Sequence, residues 1–207
     1  MVRPREVTPD LSLDQAMDRY AQGEGSAFAV VYAGLELKLR PFLMRLAGRT
    51  PIADDLLQET FMRIHRARGS FEPGARVVPW AYAIARNAWL DHVRSAQVRG
   101  QVDKKIHQAA ADDASPIEPA TGPEADSEQA AIARQTAVIV EKALAALPSA
   151  QREAFVLLRY EGLSVQEAAE ILGSTPTAVK LRAFRAYESL REALGQSRKG
   201  KGGEGGV

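Results

Sequence analysis

Three cations, Lys180, Arg182 and Arg185, fall within six positions of one another, shortly after Gly173, Thr175 and Pro176. An arginine can grip guanine bidentately, and either cation neutralises phosphate. Leu181 and Phe184 lie among them and suit the methyl groups of thymine or a protein core, and Thr177 adds a hydroxyl. A second set is acidic and amide-bearing. Asp55, Gln58, Glu59, Met62 and Arg66 recur at i, i+3, i+4, i+7 and i+11, with Asp54 beside them. On a helix that spacing makes one face, suited to docking a basic partner helix or simply to water. A third set, Arg86, Asn87 and Arg94, lies on or beside one polar helical face, with Phe71 and Arg76 in the loop before it. Asn87 offers both a donor and an acceptor to a base edge.

These residues need elements to hold them. Apolar residues recur at helical spacing almost throughout, and alternating β-branched runs are missing, which predicts an all-α chain. The pattern predicts helices over about Leu13–Gln22, then from after Gly25 to about Ala47 with Ser26 as cap and Pro41 as a bend, and over about Ile52–Arg68. A loop Gly69–Val78 precedes a helix that Pro79 opens and that reaches about Val98. Leu57, Phe61 and Ile64 are expected to face the core, as are Trp80, Ile84 and Val93, while Phe71 is either core or a contact residue.

The composition then shifts. Residues 108–129 are rich in Ala, Pro and acids (Asp112, Asp113, Glu118, Glu124, Asp126, Glu128), too poor in apolar surface to fold alone, and read as a flexible acidic linker. The chain thus divides into a first helical domain, 11–107, the linker, a second helical domain, 130–194, and a Gly- and Lys-rich tail, 195–207, expected to be disordered.

The second domain carries the sharpest punctuation. Ser164 and Glu167 form an S-x-x-E capping box. Ala168 is small enough for a close helix crossing, Gly173 suits a left-handed stop, Thr175 a cap and Pro176 a first turn. A helix, a turn of about three residues and a second helix bearing cations in its N-terminal half make a helix-turn-helix, the half that enters a major groove. A plain helical pair with a solvated basic face would not require caps, small residues and cations together.

The 207 residues balance 27 Lys and Arg against 26 Asp and Glu, a formal +1, so any nucleic-acid surface must be local. The lack of cysteine removes disulfides and thiolate metal sites and fits a reducing cytoplasm. His65, His92 and His107 are too scattered for zinc. No metal, no cofactor and no catalytic residues are expected, since neither a phosphate loop nor a nucleophile motif is present. The charged start with Pro4 and Pro9 does not read as a signal peptide, and no apolar run suffices to insert in a membrane.

With these motifs in hand, a family resemblance emerges. Asp54-Asp55-Leu56-Leu57-Gln58-Glu59-Thr60-Phe61 and Trp80-Ala81-Tyr82-Ala83-Ile84-Ala85-Arg86-Asn87 resemble the second conserved region of sigma-70 family RNA polymerase sigma factors. Leu147-Pro148, Gln151-Arg152-Glu153-Ala154-Phe155, Tyr160-Glu161-Gly162-Leu163-Ser164, Leu172-Gly173 and Val179-Lys180 resemble the fourth. Both blocks in this order, joined by a short linker, resemble the extracytoplasmic-function (ECF) group.

The resemblance implies that Asp54, Asp55, Gln58, Glu59, Met62 and Arg66 bind the clamp helices of core RNA polymerase. It implies that Phe71, Arg76, Arg86, Asn87 and Arg94 hold the opened −10 strand, by polar edge contacts and apolar packing. Thr177, Lys180, Leu181, Arg182, Phe184 and Arg185 would read the −35 element of promoter DNA, and the second domain would also meet the polymerase flap. The linker would run toward the RNA exit path, its carboxylates imitating an RNA backbone. An anti-sigma factor is the implied inhibitor. Residues after Lys180 and the run Val77-Val78-Pro79 depart from the family's usual pattern, so neither promoter element can be copied from a relative. The competing reading is a stand-alone helix-turn-helix regulator that binds duplex DNA without polymerase.

Overall fold

The computed structural model describes residues 11–98 and 127–200, and the described residues are helical with no strand. α1 (Leu13–Ala21) starts at Ser12, whose hydroxyl accepts from the Gln15 amide while the Gln15 side chain accepts from the Ser12 amide. This capping box satisfies two orphan amides at once. A 3₁₀ turn (Gly25–Ala27) leads into α2 (Phe28–Ala47). Ser26 does not cap α2. Its hydroxyl bonds Glu24 instead, because the 3₁₀ turn already occupies the amides that a cap would serve. Pro41 stands inside α2, and Gly48, in the left-handed region at φ 68°, ends it.

α3 (Thr50–Ala67) and a 3₁₀ turn (Arg68–Ser70) precede α4 (Val77–Val98). Pro79 is therefore the third residue of α4, still within the turn where its missing N–H costs nothing. The second block contains α5 (Ser127–Ala146), α6 (Ser149–Arg159), α7 (Val165–Leu172) and α8 (Pro176–Gly200). α5 begins inside the segment expected to be linker, and α8 runs through Ser197–Gly200, which were expected to be disordered tail. Residues 99–126 and 201–207, with most of the linker and the rest of the tail, lie outside the described residues.

The first domain packs α1–α4 around Met17, Leu35, Leu39, Phe42, Leu43, Ile64 and Tyr82, all essentially closed to solvent. Phe42 meets Tyr82 edge to face at 4.9 Å between ring centres. In the second domain, α6, α7 and α8 bury Val156, Leu157, Ala168, Ile171 and Val179. A satellite cluster of Leu144, Leu147, Ala186 and Leu190 joins α5 to α8. The two domains do not stand apart. Their apolar residues form one continuous cluster from Ala16 to Val179, with α7 against α4 and both α5 and α6 against α2.

Candidate nucleic-acid interface

The helix-turn-helix is α7, Gly173–Thr175 and α8. Ser164 Oγ accepts from the Glu167 amide at 3.2 Å, and Glu167 returns the bond to the Ser164 amide at 2.8 Å. Those bonds hold the Glu167 carboxyl below its ordinary range, the backbone bond to Ser164 contributing most. Gly173 sits at φ 57°, a left-handed conformation in which its amide and that of Ser174 turn back onto Ala169. Thr175 Oγ1 accepts from the Ala178 amide at 3.2 Å and so starts α8.

Val179, Ala186 and Leu190 bury one side of α8. The other side is thereby turned outward. Thr177, Lys180, Leu181, Phe184 and Arg185 are exposed, and Arg182 is half-buried. Phe184 is 61% exposed and Tyr187, not among the residues expected to contact DNA, 56%. Spacing could have found Tyr187: it lies three residues beyond Phe184 on the same face.

The acidic set divides by partner. Asp55, Gln58, Met62 and Arg66 are exposed on α3. Asp54 is held by Arg40 of α2 at 3.0 Å. Glu59 pairs with Arg63 at 2.7 Å, and Arg63 reaches across to Asp91 of α4 at 2.8 Å. Asp55, Glu59 and Arg63 thus form one wall of a cleft of about 270 Å³, with Asp91, His92 and Ser95 of α4 opposite. Arg63, which the sequence reading passed over, ties the polar faces of the two helices together.

The third set is separated by the fold. Asn87 and Arg94 are seven residues apart on α4, offset by only about 20° at 100° per residue, and both are exposed on one face. Arg94 also contacts Asp91 at 3.2 Å. Phe71 lies in the core, 5% exposed, with its ring 5.1 Å from that of Trp80, so it presents no surface to a base in this arrangement. Burying an aromatic ring removes a large apolar area from water, which favours the inward position against Trp80. Arg86 is one residue, about 100°, from Asn87 and so projects from a different side of α4, toward the second domain. Its Nε donates to Glu153 of α6 at 2.6 Å, and its Nη1 approaches the Ile171 carbonyl at 3.5 Å. Arg76 is exposed and pairs with Glu167 of α7.

The loop carrying Phe71 and Arg76 is fastened from α1. Asp14 Oδ1 accepts from the Val77 amide at 2.8 Å, capping α4 from a distance, and Asp18 Oδ1 accepts from the Gly74 amide at 3.1 Å. Gly74 takes φ 78°, where a side chain would be strained. No periodicity marks these carboxylates, since their partners lie 63 and 56 residues away.

Among the described residues no group of three His, Asp or Glu is placed to hold a metal ion, and no helix is long and apolar enough to cross a membrane.

An all-α pair of domains with an outward-facing, cation-bearing helix-turn-helix defines a DNA-binding protein of the two-module kind. Residues 31–99 match the family model for Sigma-70 region 2, and residues 137–190 that for Sigma-70, region 4. The chain is 36% identical over 180 residues to RNA polymerase sigma factor CarQ of Myxococcus xanthus, covering 87% of this chain and 96% of that protein. It is 30% identical to ECF RNA polymerase sigma factor SigF of Caulobacter vibrioides, over 88% of this chain and 93% of that one. Among solved structures, the sigma factor RpoE of Bartonella quintana, in complex with the anti-sigma factor NepR, superposes with a TM-score of 0.62 at 28% identity, covering 81% of this chain and 96% of that chain. The chain belongs to the sigma-70 family, among the ECF RNA polymerase sigma factors. It is a transcription initiation factor and not an enzyme, and family membership over nearly the whole chain supports this over a stand-alone regulator.

Proposed function

We propose that this chain docks on core RNA polymerase through the α3 face of Asp55, Gln58, Glu59 and Met62, with Asp54 and Arg66 at its margins. In this reading α8 enters the major groove of the −35 element. Lys180, Arg182 and Arg185 supply cations, Thr177 a hydroxyl, and Leu181 and Phe184 apolar contacts. The −10 strand is held at α4 by Asn87 and Arg94, joined by Arg86 and Arg76 once these leave their carboxylate partners. Phe71 acts from beneath, by supporting Trp80 and the loop.

The observation that carries this reading is the conjunction of an exposed α8 face with an exposed acidic α3 face on a chain of this family. The flap of polymerase is assigned to the second domain and an anti-sigma factor to the role of inhibitor, supported by the Bartonella sigma factor's occurrence with NepR. The work of such a chain places it in the cytoplasm, with polymerase and promoter.

The test is run-off transcription with bacterial core polymerase on a promoter library. A discrete promoter class should emerge with polymerase and none without it. Tight duplex binding by the isolated chain, with no transcript, would overturn the reading.

A further inference from the structure

Residues 71–76, between the second 3₁₀ turn and α4, are pinned along their length. Phe71 at one end and Val77 just past the other are buried. The Phe71 amide donates to the Arg68 carbonyl at 3.1 Å, and the Ala75 amide to the Glu72 carbonyl at 3.0 Å. The second bond closes a four-residue turn with Pro73 and Gly74 at its centre. Proline suits the second place of a type II turn, and the Gly74 φ of 78° is that of the third. Two further amides, those of Gly74 and Val77, donate to Asp18 and Asp14 of α1. These two acids are one helical turn apart and share a half-buried face, so α1 grips the turn at two points. A Cβ at Gly74 would meet no atom beyond its chain neighbours within 4 Å. The tip of the turn is therefore held by hydrogen bonds and not by packing, and there is open space beside it.

We infer that Asp14 and Asp18 are positioning residues for the −10 element: through them α1 holds the 72–76 turn as a fixed wall against which a displaced base of the opened strand is selected. The inference rests on the −10 reading proposed above and adds to it a source of base selectivity that touches no DNA. Glu72, Pro73, Gly74 and Arg76 are exposed, so the turn presents its outer side to a ligand while its amides are bound from behind. Bases differ at their edges by the placement of single donors and acceptors, so telling them apart requires a wall fixed to about half an ångström. A turn free to shift would adapt to any base and would lose conformational entropy on binding it. With no packing at its tip, this turn owes its fixed position to the two carboxylates. α1 lies outside residues 31–99, the span that matches Sigma-70 region 2, so the positioning device stands apart from the region it serves.

The experiment uses the full chain bound to bacterial core polymerase. The probe is a fork DNA from the best promoter that run-off transcription yields, duplex through the −35 element and single-stranded over one −10 strand, with each of the four bases tried in turn at every −10 position. Competition binding gives the spread between best and worst base. In Asp18→Ala that spread should narrow roughly tenfold at the most selective position, the worth of one base-edge contact. Affinity for a duplex that ends before the −10 element should not change. Asp18→Asn keeps an acceptor for the Gly74 amide and should retain most of the parent's spread. Asp14→Ala should narrow it too, together with its loss of a helix cap. A lowered melting temperature with the base spread intact in both alanine variants overturns the inference, because the carboxylates then only support the fold. If one alanine variant fails to fold by circular dichroism the other decides, and failure of both overturns the inference in the same way. Run-off product from a parent that shows no base preference on the single strand overturns this inference and leaves the proposed function standing, whereas no product at all overturns both.

Discussion

At the scale of single residues, long-range carboxylates do the positioning. Asp14 caps α4 from α1 and so sets the loop that bears Arg76. Asp14→Ala should destabilise the protein by about 1–2 kcal/mol, by analogy with the loss of a helix cap or a charged hydrogen bond. Denaturant midpoints check this, and Asp14→Asn should recover part of the loss because it keeps an acceptor. Arg185→Ala should weaken −35 duplex binding by about 1–3 kcal/mol where its contact is base-specific, or uniformly and with a shallower salt dependence where it is to phosphate. Competition binding at two salt concentrations tells these apart.

Glu161 makes a pH prediction. Burial lifts its carboxyl above the ordinary 4.5, outweighing the Tyr82 hydrogen bond and the Arg45 and Lys38 charges that oppose the lift. A raised folded-state value means that the folded chain holds more protons than the unfolded one in the window above 4.5. Its contribution to stability therefore falls as pH rises through that window. Glu161→Gln should remove this slope, which is read by comparing variant and parent unfolding midpoints across it.

At the scale of elements, the helix-turn-helix is held by its ends. The reciprocal bonds of Ser164 and Glu167 begin α7, and Thr175 begins α8, so the angle between the helices is set by caps together with the small Ala168 at the crossing. Ser164→Ala should cost about 1 kcal/mol of stability. Glu167 has the opposite pH sign to Glu161. Its lowered folded value means that its contribution is present near neutrality and is lost as pH falls through the acid range. The α7–α8 pair should therefore loosen at acid pH, visible as earlier amide exchange in α7 than in α2.

At the scale of the molecule, one continuous apolar cluster crosses the boundary between the domains. Cooperativity follows contact, so the intact chain should unfold in a single calorimetric transition although it contains two family regions. Two resolved transitions for the unmodified protein would show that the domain boundary is energetically weak. A Glu153→Gln/Glu161→Gln variant is the one expected to split the transition, because neutralising both acids removes the Arg86 and Arg45 ion pairs at the boundary.

What could be read from the sequence was whatever short separations encode. The helices, the Ser164 and Gly173 signals, the exposed cations of α8 and the acidic face of α3 all follow from spacings of three to seven residues, which helical geometry turns into shared faces. Family membership was legible for the same reason, since its motifs are contiguous runs. Residue type alone could not say that Phe71 goes inward, nor that Arg86, next to the exposed Asn87 in sequence, is spent on the second domain. Arg86 meets Glu153 across 67 residues, and Tyr82 meets Glu161 across 79. Pairings at that distance depend on how whole helices pack, so the closure of the two domains belonged to the tertiary structure.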